Sequence, residues 1–285
     1  MLIDKPAGIT SHDAVAVVRR ATHSRRVGHA GTLDPFATGL LVVLVGRGTR
    51  LIPYAEGEPK VYEATIRFGA ETDTDDCTGE CIRSAPAPRD DVIGEAIARL
   101  TGEIEQLPPA YSAKQVGGTR AYAAARRGAA LELSPARVTV HEWTVTGRSG
   151  DDVRATITCG GGTYVRALAR DLGRLTNSAA HLASLRRTHA GPFAVRDAIS
   201  VNALGGAEAV MQPLLACVPS LPVRRLDAAE LRRVSHGNAI ALPMGGESSV
   251  TEGARVALVD DEDTLIAVAE RRGSILQPTL VLRDG

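Results

Sequence analysis

One carboxylate stands out for its position. In "RVGHAGTLDPFATGLLVVLVG", Asp34 lies among Gly28, Gly31, Pro35 and Gly39, just ahead of an apolar run over 40–45. A run that apolar reads as a buried strand. An acid at its threshold must be solvated, paired or put to use. One use is structural, as a turn or N-cap aspartate before proline. The other is chemical: a carboxylate is a nucleophile if a nearby cation keeps it ionised. Gly31 and Gly39 would let a ligand approach the backbone closely. Far along the chain, Arg166, Arg170 and Arg174 recur at four-residue spacing, as a solvated helical stripe would.

Other chemistries find less support. No Gly-x-Ser-x-Gly elbow or His-Glu-x-x-His pattern is present. "TDTDDCTGE" has Thr78 where a calcium loop needs glycine, so it reads as a solvated acidic turn. "TCGGGTYVRALARDLG" puts a glycine loop before a helix, where backbone amides can hold an anion. It lacks the phosphate-loop lysine and the dinucleotide spacing, which argues against a nucleotide cofactor. Cys77 and Cys81 lack a second Cys/His pair to complete a zinc site, so all four cysteines read as free thiols. No metal is expected.

The elements that must position Asp34 come from periodicity. A short strand at 2–3 leads into "DKPAG", then a capping-box pair, Thr10 and Asp13, opens a helix. "YEATIRFG" alternates, placing Tyr62, Ala64, Ile66 and Phe68 on one face of a strand. Helices are expected over 91–100, over "TRAYAAARRG" with Gly128 as its stop, and over "TYVRALARDLGRLT", whose Val165, Leu168, Ala169 and Leu172 face the core. Strands are expected at Val138, Val140, Val145 and over 153–159. Pro213, Pro219 and Pro222 punctuate a boundary. Beyond it, a helix over "DAAELRRVSHG" and the hairpin pattern "RVALVDDEDTLIAVAE" suit a small β-barrel.

The chain has 285 residues, 44% of them hydrophobic, enough for one large domain and one small one. It has no apolar run long enough for a transmembrane helix and no secretion signal at its start, which predicts a cytoplasmic protein without a membrane partner. The first residue nearly opens a strand, so a few natural N-terminal residues are expected to be missing. Formal net charge is zero but unevenly spread: +4 over 1–50, −8 over 51–105, +7 over 106–200 and −3 over 201–285. Such segregation predicts a positive face on a neutral molecule. Arginine dominates, which suits phosphate contacts or reflects codon preference.

At this point the motifs form an ordered set. "GHAGTLDPFATGLL" resembles the aspartate motif of the TruB family of tRNA pseudouridine synthases. "DKPAGITSHD", "KVYEATIRFGAETDTDDCTGE", "PPAYSAKQVGGTRAYAAARRG", "GGGTYVRALARDLG" and "HLASLRRTHAGPF" resemble, in order, its Lys-Pro motif, tyrosine-bearing strand with acidic turn, RNA-clamping insertion, arginine motif and pocket-closing segment. The last 68 residues resemble a PUA domain, a small RNA-binding barrel.

The resemblance implies an α+β catalytic domain over 1–217 around a mixed sheet, with a clamping insertion at about 106–136, followed by a PUA-like β-barrel over 218–285. It implies isomerisation of uridine 55 in the T-loop of tRNA by a monomer, without cofactor or metal. Asp34 would be the nucleophile, Tyr62 would stack on the flipped base and assist proton removal, and Arg166 would hold Asp34 ionised. His29 would fill the space the base leaves, and Tyr164 and Leu185 would enclose the uracil. Lys5, Lys114, Arg120, Arg126 and Arg127 would contact the T-arm; many relatives carry the insertion's lysine at the position of Gln115. A synthase working within guide-RNA particles, or an RNA-folding protein that merely kept the fold, are the competing readings.

Overall fold

The computed structural model describes residues 1–55, 57–112, 115–116, 119–120, 133–205, 210–242 and 250–282. The chain opens with β1 (Leu2–Lys5), α1 (Ser11–Ala21), β2 (Val27–Ala30) and β3 (Thr38–Val45). Next come β4 (Lys60–Phe68), β5 (Ala70–Thr72), β6 (Cys81–Ser84), α2 (Asp90–Arg99) and β7 (Gly102–Gln106). A two-residue pair, β8 (Gln115–Val116) and β9 (Thr119–Arg120), precedes the long β10 (Ala136–Ser149) and β11 (Asp152–Cys159). Helix α3 (Val165–Leu175) leads to β12 (Ala180–Ala190), β13 (Phe193–Ala194) and β14 (Ile199–Ser200). The last segment holds β15 (Val223–Arg225), α4 (Ala228–Ser235), β16 (Ile240–Ala241), β17 (Arg255–Val259), β18 (Leu265–Arg272) and β19 (Ile275–Val281).

The main sheet runs β14-β1-β3-β12-β4-β11-β10-β7, with β2 added to β3 and β13 to β12. It is mixed: β1–β14 and β3–β12 are parallel, whereas β4 pairs antiparallel with both β11 and β12. The apolar run of β3 is explained by burial on both faces. Leu41 and Val43 point into the main core with α1 and α3, whereas Leu40, Val42 and Leu44 point into a second core. In β4 only one face is buried, so the strand alternates: Tyr62, Ala64, Ile66 and Phe68 are inside while Glu63 and Arg67 are exposed. The expected capping box on α1 forms in both directions, Asp13 N donating to Thr10 Oγ1 and Thr10 N to Asp13 Oδ2.

The C-terminal sheet runs β15-β17-β18-β19-β16. Its two edge strands come back together: Arg224 of β15 donates to the Ala241 carbonyl of β16 at 2.7 Å. The sheet is therefore curled into a half-barrel. It does not stand apart. Ala257, Val259, Leu265 and Leu280 share the second core with Leu40, Val42 and Leu44, and Arg50 donates to the Val281 carbonyl at 2.7 Å.

One expected element changes. The helix over "TRAYAAARRG" does not begin at Thr119, because Thr119 and Arg120 pair with Val116 and Gln115 as a short hairpin. Residues 121–128 lie outside the described residues. A Gly-Gly between two short runs is itself a hairpin signal.

Candidate active site

The loop carrying Asp34 is held at every step. Arg187, on β12 and almost wholly buried, donates to the carbonyls of Gly31 (3.0 Å), Thr32 (3.3 Å) and Leu40 (2.8 Å). Ser11 donates to the Leu33 carbonyl and accepts from its amide. The Asp34 carbonyl takes the Ala37 amide, and the Pro35 carbonyl takes the Gly8 amide and Lys5 Nζ. Each carbonyl from 31 to 35 is thus satisfied, as a buried turn requires. Gly39 is needed for this packing and not for a ligand. Its φ is +100°, and a Cβ there would lie 2.3 Å from the Arg187 carbonyl oxygen. Gly31, with φ of +92°, faces Arg187 and Lys60.

Lys5 is a correction. A phosphate contact needs an exposed ammonium, but Lys5 is fully buried and spends its donors on the carbonyls of Pro6, Ile9 and Pro35. Burial lowers its pKa to about 8, an effect that the Asp34 charge opposes.

Arg166 comes to Asp34 from α3, across 132 residues of chain. Its Nε and Nη2 grip the two carboxylate oxygens at 2.9 and 3.0 Å. Its other donors reach the carbonyls of Thr74 (2.8 Å) and Tyr111 (3.0 Å), and Asp76 lies 3.6 Å away. Arg166 is 4% exposed, whereas the Asp34 side chain is 32% exposed. The guanidinium is fixed from behind and the carboxylate opens forward. The start of α3 is set by Gln106, which accepts the Tyr164 amide and donates to the Tyr164 carbonyl.

The solvated-stripe and solvated-turn readings both fail here. Arg170 is buried and pairs with Asp75 at 2.9 Å while donating to the Leu107 carbonyl. Arg174 pairs with Glu71, which also takes Arg83. Glu71, Asp75 and Asp76 are all buried. Burial pushes Asp75 up to about 6, against the pull of Arg170 and Arg166. Arg166 and Arg170 are thus neutralised indoors by acids of the β5–β6 segment, which removes two of the charges expected on a positive face, whereas Arg174 pairs with the buried Glu71 while its own side chain stays half exposed.

In front of Asp34 lies a cavity of about 250 Å³, lined among others by Lys60, Tyr62, Thr163, Tyr164, Leu185 and Arg187. Small-molecule pockets usually span ~300–1,000 Å³, so this one suits a single small ring. Burial raises the Tyr62 phenol, which therefore stays protonated at neutral pH. His29 does not line the cavity. It sits on β2 two residues before Gly31, edge-on to His12 with ring centroids 5.6 Å apart. Burial lowers its pKa, and Nδ1 has no partner among the described residues. Lys114, Arg126 and Arg127 lie outside the described residues, and only the backbone of Arg120 is described.

Known proteins resemble this chain over nearly its whole length. Residues 19–165 match the TruB family pseudouridylate synthase N-terminal domain. The chain belongs to the TruB family. It is therefore an isomerase of the pseudouridine synthase class. A Thermobifida fusca protein called tRNA pseudouridine synthase B is 47% identical over 99% of this chain and 97% of its own length. An Arthrobacter protein of the same name is 41% identical over 99% and 95%. Among solved structures, one chain of a Cbf5-Nop10-Gar1 complex superposes with a TM-score of 0.73 at 24% identity, covering 99% of this chain and 84% of that one, which shows the shared fold. No helix among the described residues is long and apolar enough to cross a membrane.

Sequence reasoning did not single out four residues around this candidate site. Lys60 and Arg187 lie within the quoted motifs, beside Tyr62 and Leu185. Gln106 gave no periodic signal, because its partner Tyr164 comes from a distant segment, and Asp76 lay in the turn expected to be solvated.

Proposed function

We propose that the chain converts uridine 55 in the T-loop of tRNA to pseudouridine, by flipping the base into the cavity and attacking with Asp34, without metal or cofactor. The observation that carries this reading is the paired grip of Arg166 on Asp34 at the floor of a ring-sized cavity. The full-length relatives called tRNA pseudouridine synthase B support the choice of RNA.

The geometry suits the task. Flipping a base costs a few kcal/mol, roughly. Stacking on Tyr62, worth ~1–3 kcal/mol per base, offsets much of it. The two bonds from Arg166 aim the Asp34 carboxylate and balance its charge, which suits it to act as a nucleophile toward the uracil ring or the anomeric carbon. The C1′–N1 bond breaks, a C1′–C5 bond forms, and the C5 proton is replaced by one gained at N1. The atoms balance within the nucleotide. Tyr62, as a neutral phenol, relays that proton and is not the resting base. Tyr164 and Leu185 close over the ring. Residues 218–285, as a PUA-like unit, would add affinity for tRNA.

Unmodified tRNA incubated with the protein and mapped by a chemical probe for pseudouridine tests the reading. Product at position 55 is expected, and none from Asp34→Asn, which should still bind tRNA within a few fold of the parent. Product at another position would overturn the site, and turnover by Asp34→Asn would overturn the nucleophile.

A further inference from the structure

One charged group in the cavity has no task in the scheme above. Lys60 opens β4 two residues before Tyr62, so the pleat puts both side chains on one face. It lines the cavity together with Asp34, Tyr62 and Arg187. Its strand neighbours are Cys159 of β11 and Ala190 of β12. Among the described residues its side-chain ammonium has neither a hydrogen bond nor an ion pair.

The surrounding groups explain why it is open. A Cβ on Gly31 would lie 3.5 Å from Arg187 Nη1 and 3.6 Å from Lys60 Cε, so two cationic side chains flank one glycine. Arg187 is satisfied by three backbone carbonyls. Both oxygens of Asp34 are held by Arg166. The nearby acid, Glu58, turns its carboxylate to Gly160 and Gly161, where a Cβ would collide with it. Burial, then the Arg187 charge, lowers the Lys60 pKa, and Glu58 only partly opposes this. An ammonium in part withdrawn from water, beside a second cation and without an acceptor, is stabilised when an anion arrives.

We propose that Lys60 binds a phosphate of the RNA strand flanking the flipped uridine. The proposal rests on the RNA-modifying reading above. A base that swings into the cavity brings its own backbone to the cavity mouth. There the field of two adjacent cations favours a full negative charge over a uracil carbonyl, and lysine meets phosphate as a point charge.

Lys60→Met keeps the stem and removes the charge; Lys60→Arg keeps the charge. Each full-length protein is titrated with T-arm RNA hairpins, either natural or carrying one uncharged methylphosphonate linkage 5′ or 3′ of the target uridine. Lys60→Met should weaken binding of the natural RNA by roughly tenfold or more. Its slope of log K against log salt should shrink by ~0.7–0.9, the loss of one phosphate contact. One of the two methylphosphonate RNAs should bind wild type as weakly as the natural RNA binds Lys60→Met, and the substitution should then add little. Lys60→Arg should retain most of the affinity.

An unchanged Kd and salt slope with a slower saturated rate would assign Lys60 to the uracil and overturn the proposal. So would a Lys60→Met protein indistinguishable from wild type. If Lys60→Met melts early, wild type alone decides: equal binding of all three RNAs refutes the contact. These readouts need no turnover, so failure of wild type to make pseudouridine would sink the activity reading separately.

Discussion

Arg166→Ala is the sharpest perturbation of the site. It removes two bonds to Asp34 and leaves the carbonyls of Thr74 and Tyr111 without that donor. Breaking a fully buried pair costs about 3–5 kcal/mol. Water reaches a third of the Asp34 side chain and recovers part of this, so a stability loss of about 2–3 kcal/mol is expected. The rate effect should be larger. A nucleophile freed to shift by ~1 Å loses roughly 10²-fold. Arg166→Lys should recover part of the rate, since an ammonium restores the charge but not the two-pronged grip. The assay is single-turnover pseudouridine formation at saturating tRNA, well below each variant's melting point, with Kd measured alongside. Arg67→Ala is the control: its exposed pair with Asp152 is worth ~0–1 kcal/mol. Arg170 cannot serve, because it is buried against Asp75. A folded Arg166→Ala protein turning over within about threefold of wild type would refute the reasoning, since the ~10² expected from displacement would be missing.

Three further outcomes follow from the packing. Asp75 titrates near 6 in the folded chain against 3.8 as its reference, so the native state holds the extra proton and this group's contribution to stability falls as pH rises through that window. Asp75→Asn should abolish the fall, making the pH 5 to 7 change in unfolding free energy more favourable by about 1 kcal/mol; urea melts with identical pH dependence in both proteins would contradict it. Gly39→Ala forces a Cβ onto the Arg187 backbone at positive φ and should cost more than about 3 kcal/mol, read as a lower urea midpoint. Truncation after Ser220 uncovers the Leu40–Val42–Leu44 face of the shared core and should lower the melting temperature as well as tRNA affinity; an unchanged melting temperature would show that the second core closes without the half-barrel.

What was legible in the sequence had a local cause. The capping box on α1, the alternation of β4, the helix at 165–175 and the β17–β18 hairpin each come from residues that meet their own near neighbours. What was not legible depends on contacts between distant segments. The acidic turn looked solvated because its arginines lie some 95 residues further on. Lys5 looked like a surface cation because the carbonyl of Pro35 that it bonds belongs to another loop. Gly39 was read as room for a ligand, yet the space is filled by β12, again from far away. Charge counted by segment misled for the same reason: the acidic block at 51–105 and the basic block at 106–200 partly cancel inside the fold.

This distribution of contacts explains how an acid can sit at the mouth of a buried strand. Asp34 is carried by a loop whose carbonyls are bonded from β1, α1 and β12, so the loop keeps its shape whether or not the carboxylate is charged. The charge is supplied from α3, and α3 is itself fixed by the β5–β6 turn and Gln106. Shape and charge therefore have separate sources. A substitution at Asp34 should leave the loop intact, whereas one at Arg166 disturbs the turn, the segment at Tyr111 and the nucleophile together. The site is assembled only once all these segments have met, so its chemistry is a property of the completed sheet and of no single motif.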